Sequence, residues 1–154
     1  VLPGVGHFGP VAERLLSLGL TEIVRRRLLE GLPTLAICLG LQLLAEGSEE
    51  SPGTPGLGVV EGVATRFGDG VVTPQLGWNR VTADPGCRLV TDGDAYFANS
   101  YRLEDAPHGW AAGMSDHGGP FVATLERGAV LACQCHPELS GAWGQGLLER
   151  WLSC

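Results

Sequence analysis

The sequence predicts an α/β fold, a mostly parallel sheet flanked by helices and extended by antiparallel strands. Three observations predict it. Strand-like and helix-like patterns alternate from Leu2 to Ala45, short strand-like segments separated by turn signals follow from Val59 to Cys135, and an amphipathic stretch closes the chain.

The elements follow in order. Leu2-Pro3-Gly4-Val5-Gly6 reads as the end of a strand running into a glycine-rich turn. Pro10 fits the first turn of a helix whose apolar stripe is Val11, Leu15, Leu16 and Leu18, with Gly19 to end it. A second helix is predicted from Thr21 to Glu30, stopping at Gly31. Pro33 precedes a short apolar strand, Thr34-Leu35-Ala36-Ile37, and Cys38 opens a helical stretch to about Ala45. Residues 47–57, rich in Ser, Glu, Gly and Pro, read as a loop. Strands are predicted at Val59 to Phe67, Trp78 to Val81, Tyr96 to Tyr101, Phe121 to Glu126 and Ala129 to Cys135. Asp69-Gly70, Asp92-Gly93 and Gly118-Gly119-Pro120 mark turns between them. A final helix from Ser140 to Leu152 is expected to bury Leu147, Leu148, Trp151 and Leu152. With no internal repeat and no linker, residues 1–154 read as one domain.

Composition bounds the function. At 154 residues and 44% hydrophobic, the chain can build a real core. No apolar run approaches the roughly 20 residues of a membrane span. The opening lacks a basic-then-apolar leader, so a soluble, cytoplasmic protein is expected. It also lacks an initiator Met, which suggests a start inside a longer gene product. A net charge of −7 argues against a nucleic-acid partner, and Arg25-Arg26-Arg27 reads as a solvated helix face. All 10 basic residues are Arg. Without Lys there is no Schiff-base chemistry, Ser–Lys dyad or Walker-type phosphate loop. Five cysteines at irregular spacings point to reduced thiols.

The strongest chemical signal is Ala36-Ile37-Cys38-Leu39-Gly40 between a strand and a helix. It has the form of a nucleophile elbow, small-x-nucleophile-x-Gly, with small residues admitting neighbouring backbone to the turn. A thiol at a helix N-terminus is expected to have its pKa lowered by the dipole, and the Leu39 N–H can face a developing oxyanion. An ordinary buried thiol explains the elbow equally well. His136-Pro137-Glu138 breaks that tie. The apolar strand before it delivers His136 to the carboxyl end of the sheet, where ligands bind in open α/β folds. Pro137 biases His136 to an extended backbone, so Glu138 can hold one imidazole nitrogen while the other takes the Cys38 proton. A metal at Cys133-Gln134-Cys135-His136 is the competing reading. A one-residue spacing is short for zinc, and a strand puts His136 on the opposite face from the two cysteines. Cys133 and Cys135 are therefore read as core, with no metal site. His7, His108 and His117 carry no motif.

Together, Cys38-Leu39-Gly40-Leu41-Gln42 and His136-Pro137-Glu138 resemble the class I glutamine amidotransferases, whose flavodoxin-like domain cleaves glutamine and passes ammonia to a synthase. Within that class, several segments are similar to the glutaminase subunits of imidazole glycerol phosphate synthase. They are Pro3 to Phe8, Ser48-Glu49-Glu50, Gly56-Leu57-Gly58, Pro74 to Asn79 and Tyr96 to Tyr101. The resemblance implies Cys38 as nucleophile, His136 as base and Glu138 as its orienter. It implies an oxyanion site from Leu39 and the turn at Val5 and Gly6. It implies glutamine contacts at Gly4, Gln42, Glu50, Asn99, Ser100 and Tyr101, with Glu50 on the substrate ammonium. No metal or organic cofactor is implied. The implied partner is a (β/α)₈-barrel cyclase, met near Trp78, Asn79 and Tyr96, although Trp78 reads equally well as a core aromatic.

Ala36 stands where the family usually has Gly, Asn99 where it has His, and Leu139 where it has Lys. The family's opening strand, helix and second strand are not in this sequence, so a piece of a longer protein or a shortened relative is expected. Two rivals remain open: another Cys-triad hydrolase such as a gamma-glutamyl hydrolase or a peptidase, and a non-catalytic subunit that only binds the cyclase.

Overall fold

The computed structural model describes residues 1–154. Helix α1, Phe8–Ser17, has no cap from its own N-terminal side chain. Its first amides are satisfied from a distant loop. Phe8 N–H donates to Glu50 Oε2 at 2.7 Å and Gly9 N–H to Ser51 Oγ at 2.9 Å. Gly19, at φ 69°, ends it as expected. Helix α2, Thr21–Leu29, stops before Gly31 at φ 68°. Strand β1, Thr34–Ile37, leads into Cys38 and helix α3, Leu39–Gln42.

The predicted helix to Ala45 is cut to one turn. The carbonyls of Leu43, Leu44 and Ala45 accept instead from Leu57, Val59, Val60 and Gly58 at 2.8–3.0 Å. A returning chain has taken the acceptors a longer helix would have used. Strand β2 is Gly47–Ser48, inside the predicted loop, and β3, Val63–Arg66, is the shortened form of the predicted strand at 59–67.

Strands β4, Gln75–Ala83, and β5, Gly93–Asn99, form a hairpin, and β6 is Tyr101–Arg102. Strand β7, Ala111–Asp116, was not foreseen. Ala-Ala-Gly-Met-Ser-Asp contains no β-branched or aromatic residue, and its strand form rests on cross-strand pairing with β8, Pro120–Arg127. Strand β9, Val130–Cys133, runs into a 3₁₀ turn at Pro137–Leu139 and then helix α4, Gly141–Leu152.

The main sheet has the order β1-β9-β8-β7-β4-β5. Leu2 bridges Ala36 and β1 pairs with β9, both in parallel, while β9, β8, β7, β4 and β5 are successively antiparallel. A second sheet orders β2-β3-β6. Alternation along β9 divides the interior in two. Val130 and Ala132 pack with Phe8, Leu28 and Leu41 beneath the first helices. Leu131 and Cys133 pack with Phe97, Phe121 and Leu147 beneath α4, and Cys135 joins them in that core, as read. In α4 only the inner face is covered: Leu147 is buried, Leu148 and Trp151 are half-buried, and Leu152 is exposed rather than buried. No helix is long and apolar enough to cross a membrane.

Candidate active site

β1 and β9 are parallel neighbours, so their carboxyl ends emerge side by side. Cys38 leaves the first, and the segment 134–136 leaves the second. Cys38 is the only non-glycine residue with positive φ, at φ 53° and ψ −108°. Such a conformation costs about 1–3 kcal/mol and persists only where the surroundings impose it. Here the imposing contacts are close backbone approaches. A Cβ on Gly40 would stand 2.3 Å from the Leu2 carbonyl oxygen, and one on Gly4 would stand 2.5 Å from Gly40 N. The Cys38 amide is pinned by a 2.6 Å bond to Cys133 O.

His136 is held equally firmly. Its N–H donates to Tyr96 O at 2.8 Å, and its carbonyl accepts from Ser140 Oγ at 2.6 Å. Its backbone is extended, at φ −101° and ψ 93°. The imidazole is buried, and its Nδ1 meets Glu138 Oε1 at 2.8 Å. The contact expected between the candidate base and its orienter is thus formed, across the 3₁₀ turn. The Glu138 side chain is 49% exposed, so water shares in holding its charge.

The sulfur is not hydrogen-bonded to His136. The Cys38 thiol faces Ala98 O at 3.9 Å and accepts from Gln134 Nε2 at 3.6 Å. Nor is its pKa lowered. Burial pushes the thiol from 9.0 up to about 11. The Leu39 N–H and the Gln134 amide pull it down, while Cys135 and Glu138 add to the rise. Helix α3 is one turn long, and its dipole does not outweigh the loss of water.

A cleft of about 290 Å³ opens over the sulfur, near the lower end of the size range of small-molecule sites. Gly4, Val5, Gly6, Cys38, Leu39, Gln42, Glu50, Asn99, Ser100, Tyr101 and His136 all line it. The structure thus brings together the candidate residues for catalysis, oxyanion binding and substrate binding. Four of these residues are already engaged within the chain. Leu39 N–H, expected to face an oxyanion, donates to Gly4 O at 3.4 Å, because the turn presents a carbonyl there. Gln42 Nε2 is engaged by Tyr101 O and Gln134 Oε1, both at 3.1 Å, which leaves its Oε1 as the group for a substrate. Glu50 caps α1 through Oε2, leaving Oε1 for an ammonium. Asn99 Nδ2 donates to Tyr101 O at 3.0 Å, while its buried Oδ1 has no partner.

Trp78, Asn79 and Tyr96 lie outside the cleft on the β4–β5 hairpin. Trp78 is 59% exposed and meets Tyr96 edge-on at 6.2 Å, so it is not a core aromatic. The Asn79 side chain is occupied within the chain, by Asp116 O and the Arg80 amide. Leu139, half-exposed, borders the cleft. Sequence reasoning missed Gln134. Its signal was a polar side chain between two core cysteines at the foot of a His-Pro-Glu turn, where burial demands partners.

A strained cysteine and a carboxylate-held histidine around one cleft, at parallel strand ends, place the molecule in the class of α/β thiol hydrolases. The description "Glutamine amidotransferase class-I" matches residues 1–152. Imidazole glycerol phosphate synthase subunit HisH of Thermus thermophilus is 47% identical over 96% of this chain and 74% of its own length. The subunit HisH of Thermococcus kodakarensis is 44% identical over 98% of this chain and 80% of its own. A solved structure described as a glutamine amidotransferase superposes with a TM-score of 0.72 at 24% identity, covering 98% of this chain and 75% of that one. The chain belongs to the class I glutamine amidotransferase family, in the group of the HisH subunits.

Proposed function

We propose that this chain hydrolyses the side-chain amide of glutamine and supplies the ammonia to a (β/α)₈-barrel cyclase that makes imidazole glycerol phosphate, in the cytoplasm. The 2.8 Å contact of His136 with Glu138, in one cleft with the strained Cys38, is the observation that carries the chemistry. The similarity to HisH subunits supports the substrate and the partner.

Glutamine enters with its ammonium toward Glu50 Oε1 and its carboxylate toward the 99–101 segment. The Cys38 proton passes to the free nitrogen of His136 as the sulfur attacks the amide carbon, and negative charge collects on the amide oxygen. The tetrahedral adduct collapses as the imidazolium gives that proton to the departing nitrogen, leaving a thioester and ammonia. Water then attacks the thioester, with His136 taking its proton. Collapse expels the Cys38 sulfur, which recovers the proton, and glutamate departs. No cofactor enters these steps. Glu138 keeps the imidazole in one tautomer and orientation throughout.

One observation favours the second reading, a cyclase-binding subunit without activity. In this conformation Gly4 O occupies the Leu39 amide and no bond joins Cys38 to His136. Ammonia release from glutamine, measured with and without the cyclase and its bound ligand, separates the two. Cyclase-stimulated release that disappears in Cys38→Ala is expected. Binding to the cyclase with no Cys38-dependent release under any condition would establish the inactive subunit instead.

A further inference from the structure

Gln134 is completely buried, between two core cysteines, and yet both ends of its amide are matched. Its Oε1 accepts from Gln42 Nε2 at 3.1 Å, and its Nε2 donates to Cys38 Sγ at 3.6 Å. An unmatched buried amide costs about 1–3 kcal/mol, so a Gln at this position is retained only where both ends find partners.

The orientation of the chain of amides is fixed from one end. Tyr101 O is a carbonyl and can only accept; Gln42 and Asn99 both donate to it. Gln42 must therefore turn its NH₂ group inward, and the same group meets Gln134. Gln134 must answer with oxygen, which leaves its own NH₂ for the sulfur. Reversing Gln42 would set its oxygen against Tyr101 O, and reversing Gln134 would set two NH₂ groups against each other.

We propose that Gln134 is the standing hydrogen-bond donor to the Cys38 sulfur and that Gln42, a positioning residue, aims it, so that two side-chain amides couple the cleft wall to the nucleophile. This rests on the assignment of Cys38 as nucleophile. A donor on the sulfur stabilises the thiolate more than the thiol, since hydrogen bonds to ions are about twice as strong as neutral ones. It therefore opposes the burial that holds the thiol protonated. The coupling also has a direction. Gln42 and Tyr101 both line the cleft, so a ligand that seats Gln42 tightens the donor on the sulfur at the same time.

Alkylation of Cys38 by iodoacetamide tests the assignment without requiring turnover. The Cys38 and Cys154 peptides are followed by mass spectrometry at about pH 9, where thiolate fraction sets the rate, with exposed Cys154 as internal reference. Gln134→Leu is expected to slow Cys38 about tenfold relative to Cys154, as about one unit of added pKa requires. With the cyclase present, kcat for glutamine is expected to fall about tenfold with KM nearly unchanged, a split that loss of a thiolate donor gives and a loosened cleft does not. If Gln134→Leu does not fold, as judged by circular dichroism, Gln42→Leu leaves Gln134 unaimed and is expected to slow the same alkylation. Unchanged Cys38 alkylation in a folded variant overturns the proposal. Slowed alkylation in a chain that never hydrolyses glutamine keeps the amide coupling and rejects the glutaminase reading instead.

Discussion

The carbonyl oxygen of Gly4 lies 3.4 Å from the amide nitrogen of Leu39 and accepts its hydrogen bond. That amide is the oxyanion donor expected from the sequence, and on that reading the resting chain has it occupied. Rotating the Gly4–Val5 peptide would withdraw the carbonyl and turn the Val5 N–H to the same space. Gly4 has no Cβ to oppose its share of that rotation, and the Val5 side chain, 85% exposed, is not held by packing.

Removing one oxyanion donor typically lowers kcat by about 10²–10³. The chain alone is therefore expected to hydrolyse glutamine about 100-fold more slowly than when the ligand-bound cyclase is present, read as ammonia release under saturating glutamine. Equal rates in the two states would mean that the carbonyl seen on Leu39 does not limit catalysis.

The thiols give the pH dependence its sign. Cys38 and Cys87 are both raised from 9.0 to about 11, chiefly by burial. The folded chain keeps protons that the unfolded chain releases above about pH 9. Their contribution to stability is complete below that pH and is lost as pH rises toward the folded values. The unfolding midpoint is expected to fall between about pH 8 and about pH 10.5, and by less in the Cys38→Ser, Cys87→Ser double variant. A parent and double variant that decline in parallel would contradict the shifts.

How much of this was legible in the sequence depends on how far apart the causes lie. The elbow and His136-Pro137-Glu138 are local patterns, and local geometry places them as read. The sign of the Cys38 shift was not legible, because it depends on what buries the thiol after β9, β5 and the turn at Gly4 converge. The stop of α3 after Gln42 depends on amides at Leu57 to Val60, and the role of Glu50 as a cap depends on a helix 42 positions away. Gln134 shows the same limit. Strand alternation assigns its neighbours to the core, but only the fold reveals which partners its amide finds.

On the β4–β5 hairpin, Trp78 is the large exposed aromatic braced by Tyr96, the kind of rigid anchor that dominates protein interfaces. Trp78→Ala is expected to weaken cyclase binding about 10- to 100-fold by calorimetric titration. Because the ring is largely in water, the unfolding midpoint of the isolated chain should scarcely move. An unchanged affinity would place the interface on another face.

Gly40 tests the elbow itself. A Cβ there would stand 2.3 Å from the Leu2 carbonyl, which is backbone and is tied on both sides: Leu2 N–H donates to Leu35 O, and Leu2 O accepts from Ile37 N–H. Relief requires moving the parallel bridge between Leu2 and Ala36 and, with it, the strained turn at Cys38. Gly40→Ala is therefore expected to cost about 2–4 kcal/mol, a fall in the unfolding midpoint of roughly 5–15 °C for a chain of this size. Gly6→Ala is the contrasting case. Nothing lies within 4 Å of its added Cβ, and only the strain of φ 126° opposes it. That change is expected to cost about 1–2 kcal/mol, and therefore less than Gly40→Ala. If Gly40→Ala unfolds no lower than Gly6→Ala, close backbone approach is not what holds Cys38 at positive φ.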